Sequence, residues 1–309
     1  MADAIARDVR VSRAARRAGA GSFARRKSMI AFYMALPLIL IVVLLVIYPA
    51  FYALHLASLN KSMTHFVGFG NFTFLFKRTT FWMVVEQSVL FAVTAVIFKA
   101  LIGFIVAHFV HNLPQKGQRK WRGMLLIPWV IPPAMSTLAW LWLFDPSYSA
   151  FNWLLAYVGL DGVPWLGNPY WARFAVILVN VWVGSPFFMI MYLAALKSVP
   201  EQLHEAAAID GANWFQKIRY VNLPMMRNII QITALFSLIV TFANFDIVKI
   251  LTNGGPVDQT HVFATWAFTL GIWGNDLPLG ASVSLFMFPI LAIAATLILR
   301  NVRKRGNEA

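Results

Sequence analysis

The 309-residue sequence contains no cysteine, which excludes disulfides and thiolate metal sites. Charge is scarce as well: only 12% of residues are charged, and 12 acids face 26 lysines and arginines. A soluble chain of this length needs far more polar residues to cover its surface. Familiar chemical signatures are also missing. No Gly-x-x-x-x-Gly-Lys-[Ser/Thr] loop is present to cradle nucleotide phosphates. No Gly-x-Ser-x-Gly elbow or pair of catalytic carboxylates stands out. The chain is therefore read as a non-enzyme, and any energy it uses comes from another subunit.

Apolar residues are what the sequence has in abundance, at 60% of the total. They arrive in blocks long enough to cross a bilayer, for which about 20 residues suffice. Six spans are predicted: Ile30–Leu54, Trp82–His108, Met124–Phe144, Phe174–Leu196, Asn228–Leu251 and Leu279–Leu299. The fold class is thus an all-α membrane protein with six transmembrane helices in residues 30–299, a basic tail at 1–29 and a short tail at 300–309. The first span is too long, starts too late and lacks the small-x-small site of a cleaved signal peptide.

The 26 basic residues sort by side. Most lie in the tail from Arg7 to Lys27, in the loops Lys116–Arg122 and Lys197–Arg227, and in the tail from Arg300 to Arg305. The alternate loops hold only Lys61, Lys77 and Arg78. By the positive-inside rule both termini are cytoplasmic. The formal net charge of +14 is then a topology signal rather than a sign of nucleic acid. Between spans three and four, Ala150–Val158 is apolar but too short to cross, and is expected to lie as an interfacial helix on the outer face.

The inward loop after span four, residues 198–224, predicts two short helices. Pro200 suits a first turn, Ala206, Ala207 and Ala208 favour helix, and Gly211 takes the left-handed conformation that ends one. Asn213 then caps a brief second helix, with Gln216 completing a capping box, before Pro224 opens the next span. On that helix Trp214, Phe215 and Ile218 form an apolar knob. Such a knob either fills a groove on a partner or rests on the membrane interface; the residues alone leave both open.

Charged and polar residues inside spans raise similar choices. Ser237, Thr241 and Asn244 form one polar stripe at i, i+4 and i+7, which serves either a solute or interhelical hydrogen bonding. Lys99, deep in span two, either has a structural role, by pairing with an acid or snorkelling, or attracts an anionic solute; the structural role is preferred. Asp246 and Lys249 are expected to pair with each other. His108 and His111 belong to the cytoplasmic boundary, and no cluster supports a metal site.

Glu205-Ala206-Ala207, Gly211 and Val221-Asn222-Leu223-Pro224 resemble, at their spacing, the EAA motif of ABC importer permeases. The resemblance runs from about Ile30 to Leu299. Gly68-Phe69-Gly70-Asn71-Phe72 and Leu251-Thr-Asn-Gly-Gly-Pro256 resemble the sugar branch, specifically the sugar-holding subunit of maltose-type importers. The resemblance implies a type I importer fold in the bacterial inner membrane. It implies a second homologous permease, two ATPase subunits that bind ATP and Mg, and a periplasmic solute-binding protein. It makes the elbow a coupling helix docked on an ATPase through Trp214, Phe215 and Ile218, with Leu223 and Pro224 closing the motif. It also carries solute contacts onto Ser237, Thr241 and Asn244, onto Asn180, Gly184 and Phe187, and onto Trp129. Phe187 and Trp129 replace tyrosines there, Asn180 replaces an apolar residue and Thr241 an amide, which implies a sugar or polyol site with a changed substrate. A glycerol phosphate or other anionic solute, or an ion-coupled transporter, are the alternatives.

Overall fold

The computed structural model describes Met29 and residues 31–306, with the side chains of residues 301 and 303–306 excepted. The N-terminal basic tail and residues 307–309 lie outside the described residues, as do the side chains of Arg303, Lys304 and Arg305. The chain divides into two units, Met1–His55 and Leu56–Ala309. Helix α1, Ala31–Ala57, supplies the described part of the first; it carries a π turn at Val43–Ile47 and large apolar side chains exposed on every face.

In the second unit, α2 (Gly70–Phe76) leads into α3 (Thr79–His111), a 33-residue helix free of proline. Along the middle of α3 the buried face carries the small residues Ala92, Ala95, Gly103 and Ala107 beside Lys99, whereas Ile97, Phe98, Leu101, Ile105 and Phe109 point outward and are exposed. Small residues inside and large ones outside is the pattern of a helix bathed in lipid, where close backbone approach drives association.

The predicted third span is not one helix. An amphipathic helix α4 (Gln115–Leu125) gives way to a single turn at Ile127–Val130 and then to α5 (Pro133–Leu143). Pro128, Pro132 and Pro133 explain the correction: each lacks an N–H, and residues before proline avoid helical geometry. The expected short outer helix is present as α6 (Ala150–Tyr157), its N-terminus capped by Ser149, whose Oγ accepts from the Asn152 N–H at 3.2 Å.

Helix α7 (Pro169–Lys197) starts on an Asn168 cap and packs along α3. Phe188, Met189, Tyr192 and Leu196 meet Ala107 and Val110 in one buried cluster, joined by Met226. Helix α8 (Glu201–Ile209) and the four-residue α9 (Trp214–Lys217) form the elbow; α10 (Leu223–Phe242) follows through a π turn at Ile218–Asn222. The second elbow helix is therefore continuous with the span, which begins at Trp214 rather than near Asn228. Pro224 removes the N–H that would bond four residues back, and the widened turn absorbs it.

The same span ends early. It breaks at Ala243-Asn244-Phe245, where the Asn244 N–H closes a tight turn on the Thr241 carbonyl at 3.1 Å, and α11 (Asp246–Leu251) begins afterwards. Asp246 and Lys249 do not pair. The lysine donates to Asn253 Oδ1 at 2.7 Å and lies 3.2 Å from the centre of the Trp273 ring. Aromatic faces thus take the place expected for the carboxylate. Helix α12 (Phe263–Phe268) with its π turn Thr269–Trp273 occupies sequence read as outer loop. The last span is α13 (Leu277–Leu285) followed by α14 (Met287–Gly306). Among the described residues five helices are long and apolar enough to cross a membrane.

Asn71, in the first turn of α2, donates to the carbonyls of Ala57 at 2.8 Å and Leu59 at 2.7 Å. Asn71→Ala removes both bonds, leaving the Ala57 carbonyl only a long contact of 3.5 Å from Ser282 Oγ, and is expected to cost about 1–3 kcal/mol. Thermal unfolding of the detergent-solubilised protein measures it; an unchanged midpoint contradicts the anchoring role.

Candidate functional site

Two groups of residues stand apart from ordinary packing. The first is the elbow. Helix α8 ends in two bonds, Gly211 N–H to the Ala208 carbonyl at 3.1 Å and Ala212 N–H to the Ala207 carbonyl at 2.9 Å. This is the Schellman pattern, and Gly211 adopts the φ of +74° that it demands. Asn213 and Gln216 then exchange the two bonds of a capping box, at 2.9 and 2.8 Å. The elbow is therefore stiff on both sides of its corner. Glu205 and Ala206 lie on its exposed face, with Ala207 half-buried.

Trp214 and Phe215 are 63% and 68% exposed, as the knob reading requires. Ile218 is a correction: it is 7% exposed, turned inward by the π turn. Its place on the surface is taken by Ile209, 87% exposed at the end of α8, which the sequence analysis did not single out. Leu223 is half-buried and Pro224 exposed where α10 starts. Behind the elbow, Asn222 Nδ2 meets His108 Nε2 at 3.3 Å, keying the corner to the end of α3. A cavity of about 640 Å³ opens there, lined by His108, His111, Lys197, Glu201, His204 and Trp214 among others. No group of three metal-ligating side chains occurs among the described residues.

The second group lies between α3, α7 and α10. Lys99 reaches from α3 to donate to Thr241 Oγ1 at 3.0 Å, and that hydroxyl donates to the Ser237 carbonyl at 2.6 Å. Gly184 is the reason the lysine fits: a Cβ there would stand 2.6 Å from Lys99 Cε and 2.8 Å from Cδ. Gly184, expected as part of a solute wall, thus makes room for the lysine stem. Phe187, one turn on, lies 6.0 Å from Trp129 and 5.3 Å from Phe236 between ring centres. These rings form an aromatic run from the proline break to α10. Asn180, one turn before Gly184, and Asn244, just past Thr241, each bury an Oδ1 without a hydrogen-bond partner. Thr233 extends the stripe a turn further with its own unpartnered Oγ1, a residue that the same spacing could have revealed.

Residues 99–304 match the family described as binding-protein-dependent transport system inner membrane component. The chain belongs to that family. This makes it a multi-pass inner-membrane permease of a binding-protein-dependent transport system. The chain is 31% identical over 278 residues to the trehalose/maltose transport system permease protein MalF of Thermococcus litoralis, covering 88% of this chain and 93% of that one. It is 29% identical over 282 residues to the sulfoquinovosyl glycerol transport system permease protein SmoG of Agrobacterium fabrum, covering 90% and 91%. The fold matches a chain of a bacterial ABC transporter involved in import of the acidic polysaccharide alginate, with TM-score 0.78 at 22% identity, covering 90% and 96%. The permease fold is thus shared along almost the whole chain.

Gly184→Ala is expected to overpack the Lys99 stem at a cost of about 1–3 kcal/mol. Lys99→Ala should suppress most of that loss in the double variant, since the two residues touch. Thermal unfolding in detergent reads both changes, and strictly additive losses would contradict the contact.

Proposed function

We propose that this permease holds and passes a sugar, oligosaccharide or polyol, using the α3–α7–α10 cluster as its solute site and the elbow as its link to ATP hydrolysis. The relatives named for trehalose and maltose and for sulfoquinovosyl glycerol support the sugar class. The chemistry of the cluster agrees: aromatic faces at Trp129, Phe187 and Phe236 cover C–H surfaces, while Asn180, Asn244, Thr241 and Ser237 supply amide and hydroxyl partners. No residue here is assigned a catalytic role. ATP and Mg are bound by a separate ATPase subunit, present twice beneath a pair of homologous permeases. The distribution of basic residues supports a cytoplasmic position for both termini and the elbow.

The observation that carries this reading is the stiffened, apolar elbow, whose Ile209, Trp214 and Phe215 are exposed in the single chain. Closure of the ATPases moves that corner, the helices rock as rigid bodies, and the solute site opens to the other side. Nothing lies within contact distance of a Cβ placed on Gly211, so its requirement is conformational rather than steric.

Gly211→Val places a β-branched residue in the left-handed region, at a strain of about 1–2 kcal/mol. The variant is expected to insert and assemble while solute-loaded binding protein no longer stimulates ATP hydrolysis. Normal uptake by Gly211→Val contradicts the coupling role. At the other site, Asn244→Ala is expected to weaken solute-dependent uptake with assembly intact, measured in the reconstituted complex. Normal uptake with poor assembly would mark the polar stripe as interhelical packing alone.

A further inference from the structure

Lys99 sits at the centre of the proposed solute site, and among the described residues no carboxylate answers its charge. It is 4% exposed. Its ammonium carries three donors and has one acceptor, Thr241 Oγ1, whose own proton is committed to the Ser237 carbonyl. Among the described residues no carboxylate forms an ion pair with it. The elements packed around it offer none: residues 169–197 and 223–242 contain neither aspartate nor glutamate. Glu86 shares α3 but lies about 20 Å along the helix axis. Asp246 is exposed beyond the break that ends α10. A lysine that merely snorkels runs along its own helix toward an interface. This one crosses to a neighbouring helix, through the gap that Gly184 leaves for it.

Two further groups face the same problem with opposite polarity. The Oδ1 atoms of Asn180 and Asn244 are buried acceptors without donors. Ionisable groups inside membrane helices mark solute or ion pathways when they lack internal partners. An anionic group on the solute would meet the ammonium, and hydroxyl groups would meet the two amide oxygens. One ligand class satisfies both demands.

We propose that Lys99 is a solute-reading residue, and that the transported sugar carries an oxyanion, a carboxylate or sulfonate, which Lys99 neutralises while Asn180 and Asn244 take its hydroxyls. The proposal rests on the reading of this cluster as the solute site.

The test uses the complete complex, reconstituted with its second permease, ATPases and binding protein. Equilibrium binding is measured for a panel of neutral mono- and disaccharides, each beside its uronic acid and its 6-sulfonate. The acid form is expected to bind more tightly than its neutral counterpart by about tenfold or more. Lys99→Met should abolish that preference, and the complex should melt no lower than the parent because an uncompensated buried charge has been removed. A parent complex that prefers neutral sugars overturns the proposal, as does an acid preference that survives Lys99→Met. A Lys99→Met complex that fails to assemble or melts lower also overturns it, since an acid of the second permease then holds the lysine. If an acid preference exists but neither Asn180→Ala nor Asn244→Ala changes binding of any sugar, the solute site itself lies elsewhere. If no sugar on the panel binds, the sugar reading falls and this proposal with it.

Discussion

Hydrocarbon offers no hydrogen bonds, so every backbone group within it must be satisfied by the chain itself. That constraint explains where the helices run unbroken and where they do not. Helices α3 and α7 cross without a gap, and they form the most extensive helix pair. Two interruptions fall at Pro128–Pro133 and at Ala243–Phe245, and a break of one residue at Phe286 separates α13 from α14. Non-helical backbone at such depth is tolerated only where it is buried in protein or lines a polar cavity. Trp129 lies in the first interruption and Asn244 in the second. The first two breaks therefore each carry a residue of the proposed solute site.

The continuity of α9 and α10 ties the two functional regions together. From Trp214 to Phe242 the helix counts 29 residues, a rod of roughly 40 Å. Its inner end bears Trp214 and Phe215 on the exposed corner, and its far end bears Ser237 and Thr241 beside Lys99. A displacement of the corner reaches the solute residues without crossing a loop. The π turn at Ile218–Asn222 is the place along this rod where register can change, and there Asn222 contacts His108 on α3. Coupling in this reading needs no chain of side-chain relays; a rigid element with one adjustable turn is enough.

How much of this was legible in the sequence follows from which forces are local. The capping box at Asn213 and Gln216 and the left-handed Gly211 depend on neighbours within a few residues, and both stand as read. Hydropathy averaged over a span does not register proline breaks, so the third and fifth spans were read as continuous. The inward turn of Ile218 depends on a π turn that spacing by 3.6 residues does not anticipate. The expected Asp246–Lys249 pair had the right spacing but lost to the Trp273 ring, twenty-four residues further on. Phe263–Trp273 was hidden because a short apolar helix beside a turn-rich loop resembles loop. Most instructive is Gly184, whose purpose is set by a lysine on another helix, and no pattern within α7 points there.

The magnitude of that last contact argues for function over stability. Placing a lysine at the centre of a membrane helix costs about 2.5–3.5 kcal/mol on insertion scales, and more if no water reaches it. A polar side-chain bond between membrane helices returns about 0.6 kcal/mol on average and about 1.7 at most. The single bond to Thr241 thus leaves a deficit, and the missing Cβ of Gly184 forfeits packing between α3 and α7 besides. Methionine at position 99 would fill the same space without the cost of a buried charge. A chain that keeps a charge at net cost, clears a glycine for it and leaves two amide oxygens open nearby is arranged around something it does not itself contain.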